Sequence, residues 1–187
     1  MKKSDINSIF ARPRKLLLHP ETDRENWEGI ELFKNFLVPL SAISSVCAIL
    51  LRFLSTSPLY AIGIGIILFV ASVVGCYITY RIAREYLINK VPQANRTALH
   101  LAVYSSAVFI PFHCLSSGFS EGFLSQLMAI CSLLCLRTLY VGLNRLTALD
   151  AQYRKSALVI IGLLVIVSPI IIQQLLMIIF RIPTIYA

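Results

Sequence analysis

Residues 58–80 read PLYAIGIGIILFVASVVGCYITY, 23 positions without a single Asp, Glu, Lys or Arg. A helix rises about 1.5 Å per residue, so a run of this length covers the roughly 30 Å of a bilayer's hydrocarbon core. Working outward, four more apolar runs lie at 33–53, 99–117, 123–143 and 157–180. Backbone N–H and C=O groups in hydrocarbon must be satisfied within their own segment, which makes helices of all of them. The expected fold is all-α, an integral membrane bundle of five transmembrane helices.

Composition agrees. The 187 residues are 57% hydrophobic and 14% charged, well outside the balance of a water-soluble domain. The longest hydrophilic piece is residues 1–32, too short for a soluble core of ordinary size, so two regions are expected: a cytoplasmic or interfacial segment at 1–32 and one membrane domain at 33–187. Arg12, Arg14 and Lys15 interrupt the opening stretch before any apolar core forms, so no cleaved signal peptide is expected and the first span acts as its own insertion signal. Cys47, Cys76, Cys114, Cys131 and Cys135 all fall inside spans, where a thiol behaves as a small hydrophobe, and no structural disulfide is expected.

Positive charge is distributed unevenly between the two ends of the spans. Lys2, Lys3, Arg12, Arg14, Lys15, Arg24 and Lys34 precede or open the first span, Arg81, Arg84, Lys90 and Arg96 occupy the second connection, and Arg145, Arg154 and Lys155 the fourth. The opposite side receives Arg52 and Arg181. The positive-inside rule then puts the N terminus in the cytoplasm and the C terminus outside. A basic face against anionic lipid headgroups accounts for the net charge of +8, and no nucleic-acid partner is expected.

Local patterns add detail. Ile6, Ile9, Phe10, Pro13 and Leu17 recur at near-helical spacing, as in a short amphipathic helix lying in the interface, with Pro13 dividing it. Thr22 and Glu25 have capping-box spacing for a second short helix carrying Trp27, a residue suited to the headgroup layer. On the second span, Ala61 with Gly65 and Ala71 with Gly75 repeat the small-xxx-small spacing that lets helix backbones approach in lipid, and Ser41 with Ser45 do the same on the first. Pro39, Pro111 and Pro169 each interrupt a helical hydrogen-bond ladder; Pro111 frees the carbonyl of Ala107 and kinks the third span.

Several of these stretches resemble the Yip1 family of five-span membrane proteins. The run LLLHP at 16–20, ending in Pro20, precedes Trp27-Glu28-Gly29-Ile30-Glu31, similar to the family's Leu-Leu-x-x-Pro step followed by Trp-x-x-Ile and an acidic residue. The stretch LHLAVYSSAVFIP at 99–111 resembles its Tyr-Ser-x-x-Pro region through Tyr104, Ser105 and Pro111. Tyr140-Val141-Gly142-Leu143 and Lys155-Ser156-Ala157 are similar to its pattern around the fourth connection. The second connection departs from bacterial relatives: Asn89 to Asn95 stands where they carry a Gly-Gly pair. The short tail resembles the bacterial branch, which implies a bacterial cytoplasmic (inner) membrane. Eukaryotic members imply a small GTPase as partner only by distant analogy.

Reactive chemistry is sparse. His19, His100 and His113 form no His-x-x-x-His or His-Glu-x-x-His pattern, and the spans hold no Asp or Glu, so no metal site, carboxylate dyad or carboxylate proton relay is expected. Ser105 and Ser106 are expected to bond back to their own helix. Arg137, the charge deepest within a span, starts about six residues, or roughly 9 Å, from the cytoplasmic edge and either snorkels there or binds an anion. Gln173 and Gln174 are expected to bond between helices, and the pattern presents no set of polar groups on several helices facing one axis. The expected function is therefore non-enzymatic, without a cofactor: a Yip1-like membrane-organising or adaptor role through lateral helix contacts, with a homo-oligomer or another membrane protein as partner. The alternative is an oligomeric small-solute or ion transporter or channel.

Overall fold

The computed structural model describes residues 29–180 apart from 92, 120, 121, 148 and 149. The amphipathic stretch at 5–18, the capping pair Thr22 and Glu25, Pro20, Trp27 and Arg181 lie outside the described residues. Every described element is helical: α1 (Gly29–Leu32), a π-helical turn (Phe33–Leu37), α2 (Val38–Phe53), α3 (Pro58–Leu87), α4 (Ala94–Gly118), α5 (Phe123–Ser132), α6 (Leu134–Leu146) and α7 (Ala151–Ile179). Five helices are long and apolar enough to cross a membrane: Phe33–Phe53, Pro58–Leu87, Ala94–Gly118, Phe123–Leu146 and Gln152–Ile179.

Two spans depart from plain α-helix for local reasons. In the first, Pro39 has no N–H to give the carbonyl of Asn35 and its ring crowds the preceding turn; the chain widens there, with the Val38 N–H donating to the Phe33 carbonyl five residues back. The fourth span, expected as one run, is interrupted by a tighter turn at Leu133, where the Ser132 hydroxyl bonds back to the Ala129 carbonyl at 2.6 Å and Leu136 N–H reaches the Leu133 carbonyl. The second and third spans extend past their expected limits into the connections, because Arg81, Arg84, Asn95 and Arg96 are compatible with helix once the chain leaves hydrocarbon.

The third span runs through the centre. It packs against all the others, which stand around it in the order first, second, fifth, fourth. One core cluster joins the first three spans through Phe36, Leu40, Ala48, Ile64, Leu68 and Ala107; another joins the third to the fourth and fifth through Leu101, Phe109, Leu139, Leu143, Ile161 and Val165. The outward surface carries many large apolar side chains, with Leu54, Leu59, Ile66, Phe123, Ile130, Val159, Leu163 and Ile178 exposed, as a bundle dissolved in lipid requires.

Small residues sit where helices meet. Ala61 and Ala71 are buried, Gly65 faces Ile49 of the first span, and Gly75 faces Pro169 of the fifth. Because hydrocarbon supplies no hydrophobic force between helices, these close approaches and the polar contacts beside them hold the bundle together. Hydroxyls and thiols add to them: Ser45 and Ser72 lie against the Cys114 thiol, and Ser106 lies against that of Cys76. All five cysteines are free thiols.

Candidate functional site

A cavity of about 580 Å³ opens at the end of the bundle where the first, third and fifth spans finish. Its walls come from four spans: Arg52 from the first, His113, Ser116 and Ser117 from the third, Ser125 and Gln126 from the fourth, and Ile170, Gln173, Gln174 and Met177 from the fifth. Polar groups on several helices thus share one axis, contrary to the sequence expectation. Linear spacing fixes which face of one helix a residue occupies, but not which faces of different helices meet.

Arg52 is the charge at the centre of the site. It stands one position from the end of α2, where a sequence reading places it in the connection, yet only 3% of it is exposed. The stripe Ser41, Ser45, Ala48 and Arg52 follows helical spacing, and all four are buried on the face that meets the third span. Extending the Ser41 and Ser45 packing face by two more turns would have found it. Gly118 completes the arrangement: a Cβ there would lie 3.0 Å from Ala48 Cα and 3.1 Å from Leu51 Cδ1, so its absence lets the third helix end against the first. Arg52 Nε then donates to the Ser117 carbonyl at 2.9 Å, capping one of the carbonyls that a helix C terminus leaves without an internal donor. Arg52 Nη2 has no hydrogen-bond partner among the described residues.

The rest of the wall is fixed by paired polar contacts. His113 Nε2 donates to Gln173 Oε1 at 2.8 Å, while its ring stacks on Phe109 with centroids 5.0 Å apart. This is the inter-helix bond expected of Gln173. Across the turn between the third and fourth spans, Ser116 Oγ donates to the Ser125 carbonyl at 2.9 Å and Ser125 Oγ to the Ser116 carbonyl at 2.8 Å. Gly122, with φ +111° and open space where a Cβ would stand, turns the chain into the fourth span beside them. Gln126, Ala129 and Ile170 are exposed at the rim. The first half of the fourth span, α5, packs against the third span but not closely against the fifth, so the rim opens on the side of the bundle between them.

The positions singled out in the sequence do not converge. Glu31 is exposed on α1. Tyr104, buried within the third span, meets the rings of Phe36 and His100 at 6.4 and 5.7 Å. Ser105 is buried, and its hydroxyl has no partner among the described residues, so the expected back-bond is not made. Pro111 lies two positions before His113 on the same helix. Gly142 is buried, whereas Tyr140 and Arg137 are exposed on the bundle's outer surface, remote from the cavity lining. Among the described residues no group of three or more His, Cys, Asp or Glu is placed to hold a metal ion. No family model, curated protein or solved structure matches this chain.

Proposed function

We propose that this chain is a non-enzymatic integral membrane protein of Yip1-like type, whose work is recognition within the bilayer: it binds at the Arg52 cavity and organises its surroundings through lateral helix contacts. The observation that carries this reading is a buried guanidinium at the wall of a cavity shared by four spans, with its rim on the side of the bundle. A membrane of bacterial cytoplasmic type, with the N terminus inside, fits the distribution of Lys and Arg, and puts the cavity at the outer end. The exposed apolar face of α5, through Phe123, Leu127 and Ile130, is available for a second copy or another membrane protein.

A photoreactive residue at Leu127, exposed on that face, tests the reading in native membranes. Capture of a second copy or of one membrane protein supports it; turnover of a lipid or peptide by the purified chain overturns it. Gly65 is unsuited to the same experiment because it is packed against Ile49. The second reading, an oligomeric carrier of a small solute or ion, is favoured by the polar lining of the cavity. Flux into reconstituted vesicles that disappears with Arg52→Gln would establish it.

A further inference from the structure

The geometry points to a specific ligand chemistry for the cavity: we propose that it binds a phosphate or carboxylate group, held by Arg52 and the amide of Gln173. This rests on the membrane-embedded recognition role proposed above and supplies its ligand class.

Three features converge on an oxyanion. Arg52 is a cation only 3% exposed; its Nε donates to a neutral carbonyl, and Nη2 is left without a partner among the described residues. A buried guanidinium with no countercharge beside it is costly in a low-dielectric setting, and none of the described residues lining the cavity is acidic. Gln173 uses its Oε1 to accept from His113, so its amide N–H groups remain as donors, with Gln126 and Gln174 on the same walls. A guanidinium beside amide donors, with no acidic group among the described lining residues, matches a phosphate or carboxylate.

Size and access agree with this. The volume of about 580 Å³ falls within the range of small-molecule pockets. The rim at Gln126, Ala129 and Ile170 lies between the fourth and fifth spans, a position open both to a headgroup from the side and to a free anion from water. The anionic group is the shared chemistry of both sources.

Purified full-length protein in phosphatidylcholine nanodiscs, with or without phosphatidylglycerol, separates them. Native mass spectrometry counts retained lipid, and calorimetry follows inorganic phosphate and succinate. The wild type is expected to retain phosphatidylglycerol or to bind one of the free anions. Arg52→Gln is expected to weaken that binding by about tenfold or more, the loss of a charged hydrogen bond, with Arg52→Lys weakening it less. Phosphatidylglycerol retained in the presence of phosphate identifies a headgroup; phosphate or succinate binding in pure phosphatidylcholine identifies a free anion. Arg137→Leu, which removes a charge on the outer surface, is expected to bind normally.

Gln126→Leu, an exposed rim position, serves if Arg52→Gln fails to fold by gel filtration, and is expected to weaken binding in the same direction. Glu121→Gln removes the carboxylate nearest in sequence to the lining residues, and is expected to leave binding in place. Failure of the wild type to bind any of the three probes, equal binding by a folded Arg52→Gln, unchanged binding by Gln126→Leu, loss of binding with Arg137→Leu, or binding that appears only in Glu121→Gln would each overturn the proposal. Crosslinking from Leu127 is a separate readout, so the anion site can fail while the lateral-contact role stands.

Discussion

Gly75 on the second span lies so close to Pro169 on the fifth that a Cβ at position 75 would fall 2.7 Å from the proline Cγ and 2.9 Å from its nitrogen. One residue gives up a side chain and the other a backbone donor at the same point. The Ser168 hydroxyl lies 3.0 Å from the Gly75 carbonyl and 3.1 Å from Thr79 Oγ1, so polar contacts accompany the close approach. The result is a tight joint in the middle of two antiparallel spans, where packing and hydrogen bonding replace the hydrophobic force.

Gly75→Ala is expected to loosen this joint, because the obstructing atoms include proline backbone and ring that cannot swing aside. Overpacking of this kind costs about 1–3 kcal/mol. Thermal unfolding in detergent, read as the monodisperse fraction surviving a heating series, would show the drop; an unchanged curve would refute the close approach.

Gly65→Ala meets a softer obstacle, since the intruded atoms are Cγ1 and Cδ1 of Ile49. The single substitution is expected to destabilise, and Ile49→Ala in the same chain to recover part of the loss by making room. The pair is therefore non-additive in a double-mutant cycle, as residues in direct contact are. Strict additivity would show that the two spans do not meet there.

Removing the Ser168 hydroxyl tests the polar part of the Gly75 joint. Ser168→Ala is expected to cost about 0.6 kcal/mol, the average for a hydrogen bond between membrane helices. In a Thr79→Ala background the cost should be smaller, because the contact between the two hydroxyls is already gone. An effect independent of Thr79 would contradict the network.

Arg52→Met exchanges a buried charge for an apolar side chain of similar length. Replacing buried ion pairs by apolar residues is often neutral or stabilising, and a buried cation held by a neutral carbonyl offsets its desolvation less than a pair does, so anion-free protein carrying it is expected to melt within about 1 kcal/mol of the parent or above it. A loss of about 3 kcal/mol would mean that the guanidinium serves the bundle itself through the Ser117 carbonyl.

Orientation is open to a direct check at two exposed positions in different connections, Ser55 and Lys90. With the N terminus inside, an impermeant maleimide is expected to label Ser55→Cys in right-side-out vesicles and Lys90→Cys in inverted ones. The reverse pattern would invert the assignment of the cavity to the outer end.

Depth in the membrane was legible in the sequence and azimuth was not. Runs such as 58–80 announce a span because hydrocarbon penalises every charge within it, and Gly65 and Gly75 announce close approach because small residues have little other use there. Which side of each helix faces inward is harder, since lipid and protein core are equally apolar and the usual contrast between faces is lost. Arg137 therefore drew attention by its depth, although it lies on the outer surface, while Arg52 escaped it because a charge near a span's end reads as interfacial. The interruption at Leu133 has no Pro or Gly to announce it; the Ser132 hydroxyl bonds to the Ala129 carbonyl beside it.

The enclosure of the third span by its four neighbours has a consequence for biogenesis. That segment has a mean hydropathy of 1.5, the lowest of the five, against 2.5 for the second and fifth. His100, Ser105 and Ser106 ride on it, shielded from acyl chains by the finished bundle. During synthesis it emerges before the fourth and fifth segments exist, so its polar side chains reach the bilayer ahead of two of the helices that shield them.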